Sequence, residues 1–327
     1  MPADPVTVLF TSAGRRVELL SLFRADGAAL GVPIRIAAAD TTPALSAACQ
    51  VADTQHAVRP FTQEGFVDEI FALCQREHVA LVVPLQDAEL ELFASARERF
   101  AAAGIHVVVS SLEVIRTARN KLATARAFAA GGIPVPRTAP LAEVLADATG
   151  WTWPLIAKPI SGGASVGVCV LPDARALTTF AGQIDRDGYL LQEKITGPEF
   201  TVNVFADRAG TVRCAVPHVR LEVRAGEVSK GRTERQPALT AIAQALGRVL
   251  PGVYGPLCFQ AIVMSTGEVR VFEINARFGG GFPLAHRAGA HVPRWLLEDA
   301  LGRPSSARDE WRPGVLMLRH DVSIFRG

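Results

Sequence analysis

Residues 258–275 read Cys258-Phe-Gln260-Ala-Ile-Val-Met-Ser265-Thr-Gly-Glu268-Val-Arg-Val-Phe-Glu273-Ile-Asn275. Two apolar runs flank a short glycine-containing turn, Ser265–Glu268, and this pattern predicts a β-hairpin. A turn centred in that segment places Gln260 directly opposite Glu273, and Asn275 shares their face because side chains alternate along a strand. Mg²⁺ prefers oxygen ligands, so one carboxylate and two amides here predict a metal site. An ordinary hairpin with a polar outer face is the alternative.

Upstream lies a glycine-rich segment, Ala157-Lys158-Pro-Ile-Ser161-Gly162-Gly163-Ala-Ser165-Val-Gly167. A strand that ends in Lys158 would lead into a loop whose backbone N–H groups converge on phosphate oxygens. The order of residues differs from that of a P-loop, because the lysine precedes the glycines. A plain hairpin loop is the alternative. The candidate phosphate-binding residues of the loop are Ser161, Gly162, Gly163, Ser165 and Gly167.

A third segment, Leu191-Gln-Glu193-Lys194-Ile195-Thr-Gly-Pro-Glu199-Phe200, leaves one predicted strand and enters another. The backbone of Glu193, Lys194 and Ile195 could pair with the edge of an adenine. Glu199 could accept hydrogen bonds from ribose hydroxyls. A solvated charged linker is the alternative.

Composition restricts the class of protein. The formal net charge is +2, which argues against a dedicated nucleic-acid or membrane-surface binder. No apolar run reaches the roughly 18 residues that span a bilayer, and the N-terminus lacks the pattern of a signal peptide. The five cysteines form no CxxC pair, which is typical of reduced residues. We therefore expect a cytoplasmic enzyme.

The first third alternates strand-like and helix-like segments, which predicts a parallel sheet covered by helices. Ligands of such sheets bind at the carboxyl ends of the strands, where the candidate substrate residues Arg15, Arg16, Asp87 and Glu89 fall. The first loop has a single glycine, Gly14, which excludes a GxGxxG dinucleotide site. One helix is predicted from about Leu112 to Ala130, and strands with glycine-rich turns follow. The fold class is therefore α/β followed by α+β.

These motifs, in this order and spacing, resemble the ATP-grasp superfamily. The resemblance runs from about Val6 to Phe325. Within the superfamily, the chain looks most similar to single-module relatives of the carbamoyl-phosphate synthase large subunit, a group that includes the pyrrolysine-biosynthesis ligase. It implies an N-terminal pre-ATP-grasp domain at 1–112, a linker helix and small subdomain at 113–188, and a large subdomain with the metal site at 189–327.

The resemblance also implies roles. Lys121 and Lys158 would contact phosphates, and Arg277 would face the transferred phosphoryl group, so Arg277 and Lys158 are the candidate catalytic residues. Lys230 would lie near the phosphates, and Gly279 and Gly280 would shape the acceptor side. Gln260, Glu273 and Asn275 would hold the metal. Asn120 departs from the aspartate that many relatives carry before the helix lysine.

The implied reaction activates a carboxylate with ATP and Mg²⁺, or alternatively Mn²⁺, and joins the acyl phosphate to an amine. The predicted partners are small-molecule carboxylates and amines, with a homodimer as one option. Two alternatives stay open: activation of bicarbonate or another small acid, and a regulator that binds ATP without catalysis.

Overall fold

The computed structural model describes residues 5–163 and 166–326. The N-terminal domain contains a five-stranded sheet in which every pairing is parallel, with the order β3-β2-β1-β4-β5. Its strands are β1 Val6–Thr11, β2 Ile34–Asp40, β3 Thr54–Ala57, β4 Val79–Pro84 and β5 His106–Val107. Its helices are α1 Val17–Ala29, α2 Ala47–Val51, α3 Phe66–Arg76 and α4 Leu90–Ala102, with a 3-10 turn at Pro43–Leu45. The parallel sheet predicted from the alternating segments is confirmed.

Strand order determines which loops of this domain meet. Because β1 lies between β2 and β4, the loops that follow β1 and β4 emerge side by side at the carboxyl edge of the sheet. Ser12 Oγ donates a hydrogen bond to Glu89 Oε2 at 2.8 Å and joins the two loops. The sheet therefore brings the segments around Arg15 and Asp87 to one edge.

The predicted single helix over residues 112–130 is wrong. The segment forms α5, Leu112–Arg119, and α6, Lys121–Ala130, separated by Asn120 in an extended conformation. The Asn120 side chain accepts hydrogen bonds from Leu122 N at 3.0 Å and Ala123 N at 2.9 Å, so it caps α6. The spacing of apolar residues continues through this segment as in a single helix. It carries no sign of the Asn120 side-chain cap that divides the segment into two helices. Lys121 thereby becomes the first residue of a helix.

A second, antiparallel sheet has the strand order β6-β9-β7-β8. Its strands are β6 Thr138–Pro140, β7 Leu155–Pro159, β8 Cys169–Leu171 and β9 Tyr189–Glu193. The helices α7 Leu141–Ala146 and α8 Ala174–Ala181 and a 3-10 turn at Arg186–Gly188 accompany it. Strand β9 pairs with β7, so this small sheet extends past the boundary expected between residues 188 and 189. The structure thus places β9 in the small sheet, and the domain bounds themselves stay predictions.

The large subdomain is a six-stranded antiparallel sheet with the order β14-β13-β10-β11-β12-β15. Its strands are β10 Glu199–Ala206, β11 Val212–Arg224, β12 Glu227–Thr233, β13 Gly255–Val263, β14 Val269–Asn275 and β15 Leu316–Leu318. Its helices are α9 Pro237–Val249, α10 Phe282–Ala288 and α11 Val292–Ala300. Gln260 pairs with Glu273 and Cys258 with Asn275, the register that the hairpin sequence predicts.

One apolar core runs from the N-terminal domain into the large subdomain. Phe10 of β1 packs edge-on against Phe23 of α1, with ring centroids 5.1 Å apart. Phe23 in turn contacts Phe278, which packs against Phe282 of α10 at 4.7 Å. Aromatic pairs of this kind contribute beyond their buried area, so the two units are held in one arrangement. Within the described residues, no helix has the length and apolar character that crossing a membrane requires.

The Asn120 cap leads to the first prediction. Asn120→Ala removes both acceptor contacts to α6 and is expected to lower the free energy of unfolding by about 1 kcal/mol. Asn120→Asp keeps a capping carboxylate oxygen and serves as the matched control. Urea titration measures both variants, and equal losses in Ala and Asp would contradict the cap.

Candidate functional site

Three oxygen-bearing side chains lie together on the β13–β14 hairpin. Gln260 and Glu273 are paired across the strands, and Asn275 Nδ2 donates to Glu273 Oε1 at 3.2 Å. A bulge follows the pair, between Gln260 and Ala261, but Glu273 and Asn275 keep the same face. A carboxylate flanked by two amides is the donor set that a hard divalent cation such as Mg²⁺ takes. The residues present therefore fit the predicted metal.

Two adjoining cavities open on this hairpin. The larger has a volume of about 600 Å³ and the smaller about 360 Å³. The residues that line both are Lys121, Gly162, Gly163, Arg220, Gly226, Gln260 and Glu273. The two cavities are thus halves of one cleft, and two of the three predicted metal ligands stand where the halves meet.

The smaller cavity combines apolar walls with a few polar groups, as nucleotide sites do. Its apolar lining consists of Ile156, Val166, Val168, Ile195, Val223, Ile262 and Phe272. Glu193 and Glu199 line it as well, and Glu199 Oε1 lies 3.1 Å from Arg220 Nε. Burial raises the pKa of the Glu199 carboxyl, while Arg220 opposes this rise. Lys194 is exposed and its side chain lies outside the described lining, so the prediction for it concerns its backbone only.

Lys158 is a buried cation in the smaller cavity. Its Nζ donates to Gln192 Oε1 at 2.8 Å and lies 4.7 Å from the centre of the Phe272 ring. Gln192 is itself held by donating to Thr138 Oγ1 at 2.9 Å. Burial lowers the pKa of Lys158 to about 8, although the nearby Glu273 carboxylate favours the charged form. The Lys158 ammonium group is thus largely shielded from solvent.

Lys121 links α6 to the glycine-rich loop. Its backbone N–H bonds the carbonyl of Ile160, and its Nζ donates to the carbonyl of Gly162 at 2.7 Å. Burial lowers the pKa of Lys121, and the Glu273 and Asp87 carboxylates oppose that shift. Gly162 and Gly163 line both cavities, and their contact with phosphates stays a prediction. Ser161 is exposed and is not among the described residues that line the cavities. The backbone of Gly167 adopts a left-handed conformation. Ser165 falls outside the described residues.

Arg277 follows the hairpin and reaches the N-terminal domain. Its Nε and Nη2 donate to Asp87 Oδ2 at 2.9 and 2.6 Å, and its Nη1 donates to the carbonyl of Phe278 at 3.0 Å. Burial disfavours the charge, but the surrounding groups, led by the Asp87 carboxylate and including Cys258 and Glu227, together offset this and raise the pKa of Arg277. The predicted catalytic arginine is therefore held in place by a predicted substrate residue, at the wall of the larger cavity.

At the wall of the larger cavity, a cluster of arginines surrounds one carboxylate. Arg15 Nη2, Arg16 Nη2 and Arg319 Nη1 lie 3.1, 3.5 and 3.1 Å from Glu227 oxygens. Burial alone would raise the pKa of Glu227, but these cations hold it below its usual value. Gly280 packs against this carboxylate, because a Cβ there would lie 2.6 Å from Glu227 Cδ. A Cβ at Gly279 would likewise lie 2.9 Å from Cys258 Sγ, so both glycines are required by close packing.

Two predicted site residues are corrected by the structure. Glu89 is fully buried, and its Oε1 accepts from Leu85 N at 2.9 Å and Gln86 N at 3.1 Å, so its carboxylate joins two loops and does not face a substrate. Lys230 points to solvent from β12, and its Nζ pairs with Glu222 at 2.7 Å outside the described lining of both cavities. The sequence did not predict the strand that carries Lys230. It therefore could not indicate which side chains of that strand face the cavity and which face solvent.

Arg220 is the functional candidate that the sequence interpretation missed. It lines both cavities, and its Nη1 donates to Thr201 Oγ1 at 3.2 Å. It lies on β11, Val212–Arg224, on which the sequence predicted no site residue. The alternation of His218, Arg220 and Glu222 along this strand was the available signal.

Two sequence families match the chain. Residues 8–108 match the family described as PylC-like, N-terminal domain, and residues 185–321 match ATP-grasp in the biosynthetic pathway with Ter operon. The D-alanine–D-alanine ligase of Pseudomonas fluorescens is 30% identical over 146 residues, covering 41% of this chain and 44% of the relative. That of Acidiphilium cryptum is 34% identical over 123 residues, covering 36% and 39%. The matches thus span less than half the length of these relatives.

Solved structures share the whole fold. The biotin carboxylase domain of Hydrogenobacter thermophilus 2-oxoglutarate carboxylase, in complex with MgADP, ADP and bicarbonate, has a TM-score of 0.76 at 15% identity, covering 96% of this chain and 74% of that chain. The L-amino acid ligase of Bacillus licheniformis has a TM-score of 0.70 at 17% identity, covering 95% and 78%. The architecture matches the ATP-grasp fold of these neighbours. Residues 8–108 are thus similar to a PylC-like N-terminal domain, and residues 185–321 are similar to an ATP-grasp domain.

Burial of Lys158 predicts a pH dependence of nucleotide binding. The ammonium form attracts phosphates, so the affinity for MgATP should fall as pH rises through about 8, the pKa of Lys158, by up to about tenfold per pH unit. Equilibrium dialysis between pH 7.5 and 9.5 measures this. Lys158→Arg is the matched control, because its guanidinium does not titrate in this range and its affinity should stay flat. Equal wild-type affinity across that range would contradict the assignment.

Proposed function

We propose that this chain is an ATP-dependent carboxylate–amine ligase that works through an acyl phosphate. The observation that carries the proposal is the shared wall of the cleft, where Gln260 and Glu273 line both cavities. A triphosphate from the smaller cavity and a carboxylate in the larger one would meet at this wall. The glycine-rich loop beside it supplies backbone donors on the nucleotide side.

The residues at the junction suit phosphoryl transfer between two anions. A carboxylate oxygen attacks the γ-phosphorus, the bond to the leaving ADP oxygen breaks, and an acyl phosphate remains. Lys121 and Lys158 would neutralise the phosphates, and Arg277, oriented by Asp87, would stabilise charge on the transferred group. An amine then attacks the acyl carbon, which releases phosphate and forms the amide. Covering the junction with the loop at Gly162 would keep water from the acyl phosphate.

Gln260, Glu273 and Asn275 would hold Mg²⁺, with Mn²⁺ as an alternative that has the same preference for oxygen ligands. When bound, the cation would offset negative charge on the nucleotide phosphates. Of the three, Gln260 and Glu273 contact both halves of the cleft, whereas Asn275 lines the larger half only.

The larger cavity supports an amino acid or a related small carboxylic acid as the activated substrate. At about 600 Å³ it has room for a side chain and for a second substrate, well beyond the needs of bicarbonate. Arg15 and Arg16 offer cationic groups at its wall. The relatives named D-alanine–D-alanine ligase and L-amino acid ligase support this choice. Bicarbonate is the second candidate, because a structural neighbour was crystallised with that anion.

Screening with hydroxylamine tests the reaction. Purified protein with MgATP and a panel of single amino acids should release ADP and phosphate and form a hydroxamate, because hydroxylamine traps acyl phosphates. Mixed pairs of amino acids should yield amide products by mass spectrometry. If ADP were released with bicarbonate and no amino acid gave a hydroxamate, the activated substrate would be bicarbonate and not an amino acid. MgATP binding without ADP release under any condition would instead support a regulator that binds ATP without catalysis.

Glu273 provides a test of the metal face. Glu273→Ala should lower kcat by about 100-fold or more and raise the Mg²⁺ concentration needed for half activity, because the carboxylate is the sole anionic ligand of the predicted set. Glu268→Ala, an exposed carboxylate in the turn of the same hairpin, is the matched control and should keep wild-type values. A Glu273→Ala variant with full turnover would refute the metal assignment.

The expected homodimer and cytoplasmic location stay predictions.

A further inference from the structure

A second cluster of ligand atoms lies away from the cleft. Asp26 is on the last turn of α1, His286 is on α10, and His291 immediately precedes α11. The cluster therefore joins the N-terminal domain to the large subdomain. Among the described residues that line the two cavities, none belongs to it. Asp26 also lies ten residues beyond Arg16, about 15 Å along the helix axis.

Ligand atoms of the three residues lie close together. His286 Nε2 lies 3.1 Å from Asp26 Oδ2, His291 Nδ1 lies 3.2 Å from Asp26 Oδ1, and the two ring nitrogens are 3.2 Å apart. Ligands about 2.0–2.1 Å from Zn²⁺ in a tetrahedron are separated from one another by about 3.3 Å. The two nitrogens, and each nitrogen and the carboxylate oxygen beside it, therefore have the spacing of neighbouring zinc ligands.

Two protonation patterns suit these contacts. With both ring nitrogens protonated, each N–H donates to its own carboxylate oxygen. With both unprotonated, two imidazole nitrogens 3.2 Å apart and the Asp26 carboxylate beside them offer their lone pairs to a single cation.

The surroundings hold the ligands in place. Asp26 is only 4% exposed, and its Oδ2 accepts the backbone N–H of Arg294 at 3.1 Å, an outer contact that orients a ligating carboxylate. The His286 ring packs edge-on against Phe282. The His291 side chain is 48% exposed, so a fourth ligand position faces water.

We propose that Asp26, His286 and His291 bind a Zn²⁺ ion that ties α1 to the α10–α11 segment. Two imidazoles and a carboxylate suit zinc better than magnesium, which distinguishes this site from the hairpin of the cleft. Its role is structural: α1 begins just after Arg16, and α10 begins just after Gly281, so the ion fixes the helices that carry two walls of the larger cavity.

Metal titration of the tag-free, nucleotide-free chain tests the proposal. After removal of metals with a chelator, the protein should bind a single Co²⁺ with the intense visible bands of tetrahedral coordination, and Zn²⁺ should displace it. Mass spectrometry of the metals should then give a single tightly bound zinc per chain, and Zn²⁺ should raise the unfolding temperature.

Variants separate this site from others. His291→Ala, at a half-exposed position that tolerates truncation, should weaken zinc binding by about 100-fold and abolish the cobalt bands. Asp26→Asn, which keeps the side-chain shape, should weaken it as well. His320→Ala, an exposed histidine outside the cluster, and Glu273→Ala in the cleft should both bind zinc as the wild type does. Equal binding by His291→Ala and wild type, or no binding by the wild type, would overturn the proposal.

Discussion

The antiparallel pairing of Gln260 with Glu273 is the constraint on which the cleft depends. Side chains alternate along a strand, so a slip of one residue would turn Glu273 to the opposite face and empty the shared wall. The turn fixes this register: Met264 N bonds Glu268 O at 2.8 Å, and Gly267 adopts a φ of +84°, which favours glycine. A short local turn thus positions the carboxylate that both cavities share.

The sequence predicted well the features that short segments determine. The hairpin register and the parallel sheet depend on patterns within short segments. The break at Asn120 is also local, but a side-chain cap leaves no trace in apolar periodicity. The corrections at Glu89 and Lys230 depend on contacts between distant segments. Glu89 resembles an exposed loop charge until its bond with Ser12, 77 residues away, places it in the core. The solvent-facing position of Lys230 and the cleft position of Arg220 depend on the pairing of β11 with β12, which cannot be read from one strand.

Charges in the cleft are arranged in advance of any ligand. Asp87 holds Arg277, and Glu227 holds Arg15, Arg16 and Arg319, so the cations stand in fixed positions around the larger cavity. Such pairs reduce the cost of ordering flexible side chains when an anion arrives, because the ordering is complete beforehand. They also compete with that anion. Each arginine keeps further donors free of its carboxylate partner, since guanidinium offers five N–H groups, and these can meet a substrate without breaking the pair.

The packing also indicates which part of the molecule can move. The N-terminal domain and the large subdomain share the core that contains Phe23 and Phe278, so they form one body. The small sheet has an apolar cluster of its own, which includes Leu155 and Leu191 and is separate from that core. Its glycine-rich loop is bonded to Lys121 of α6 at two points, from Lys121 N to Ile160 O and from Lys121 Nζ to Gly162 O. A phosphate group that replaced the Gly162 carbonyl as the acceptor for Nζ would free the glycine part of the loop, whereas the backbone bond to Ile160 would still hold its start.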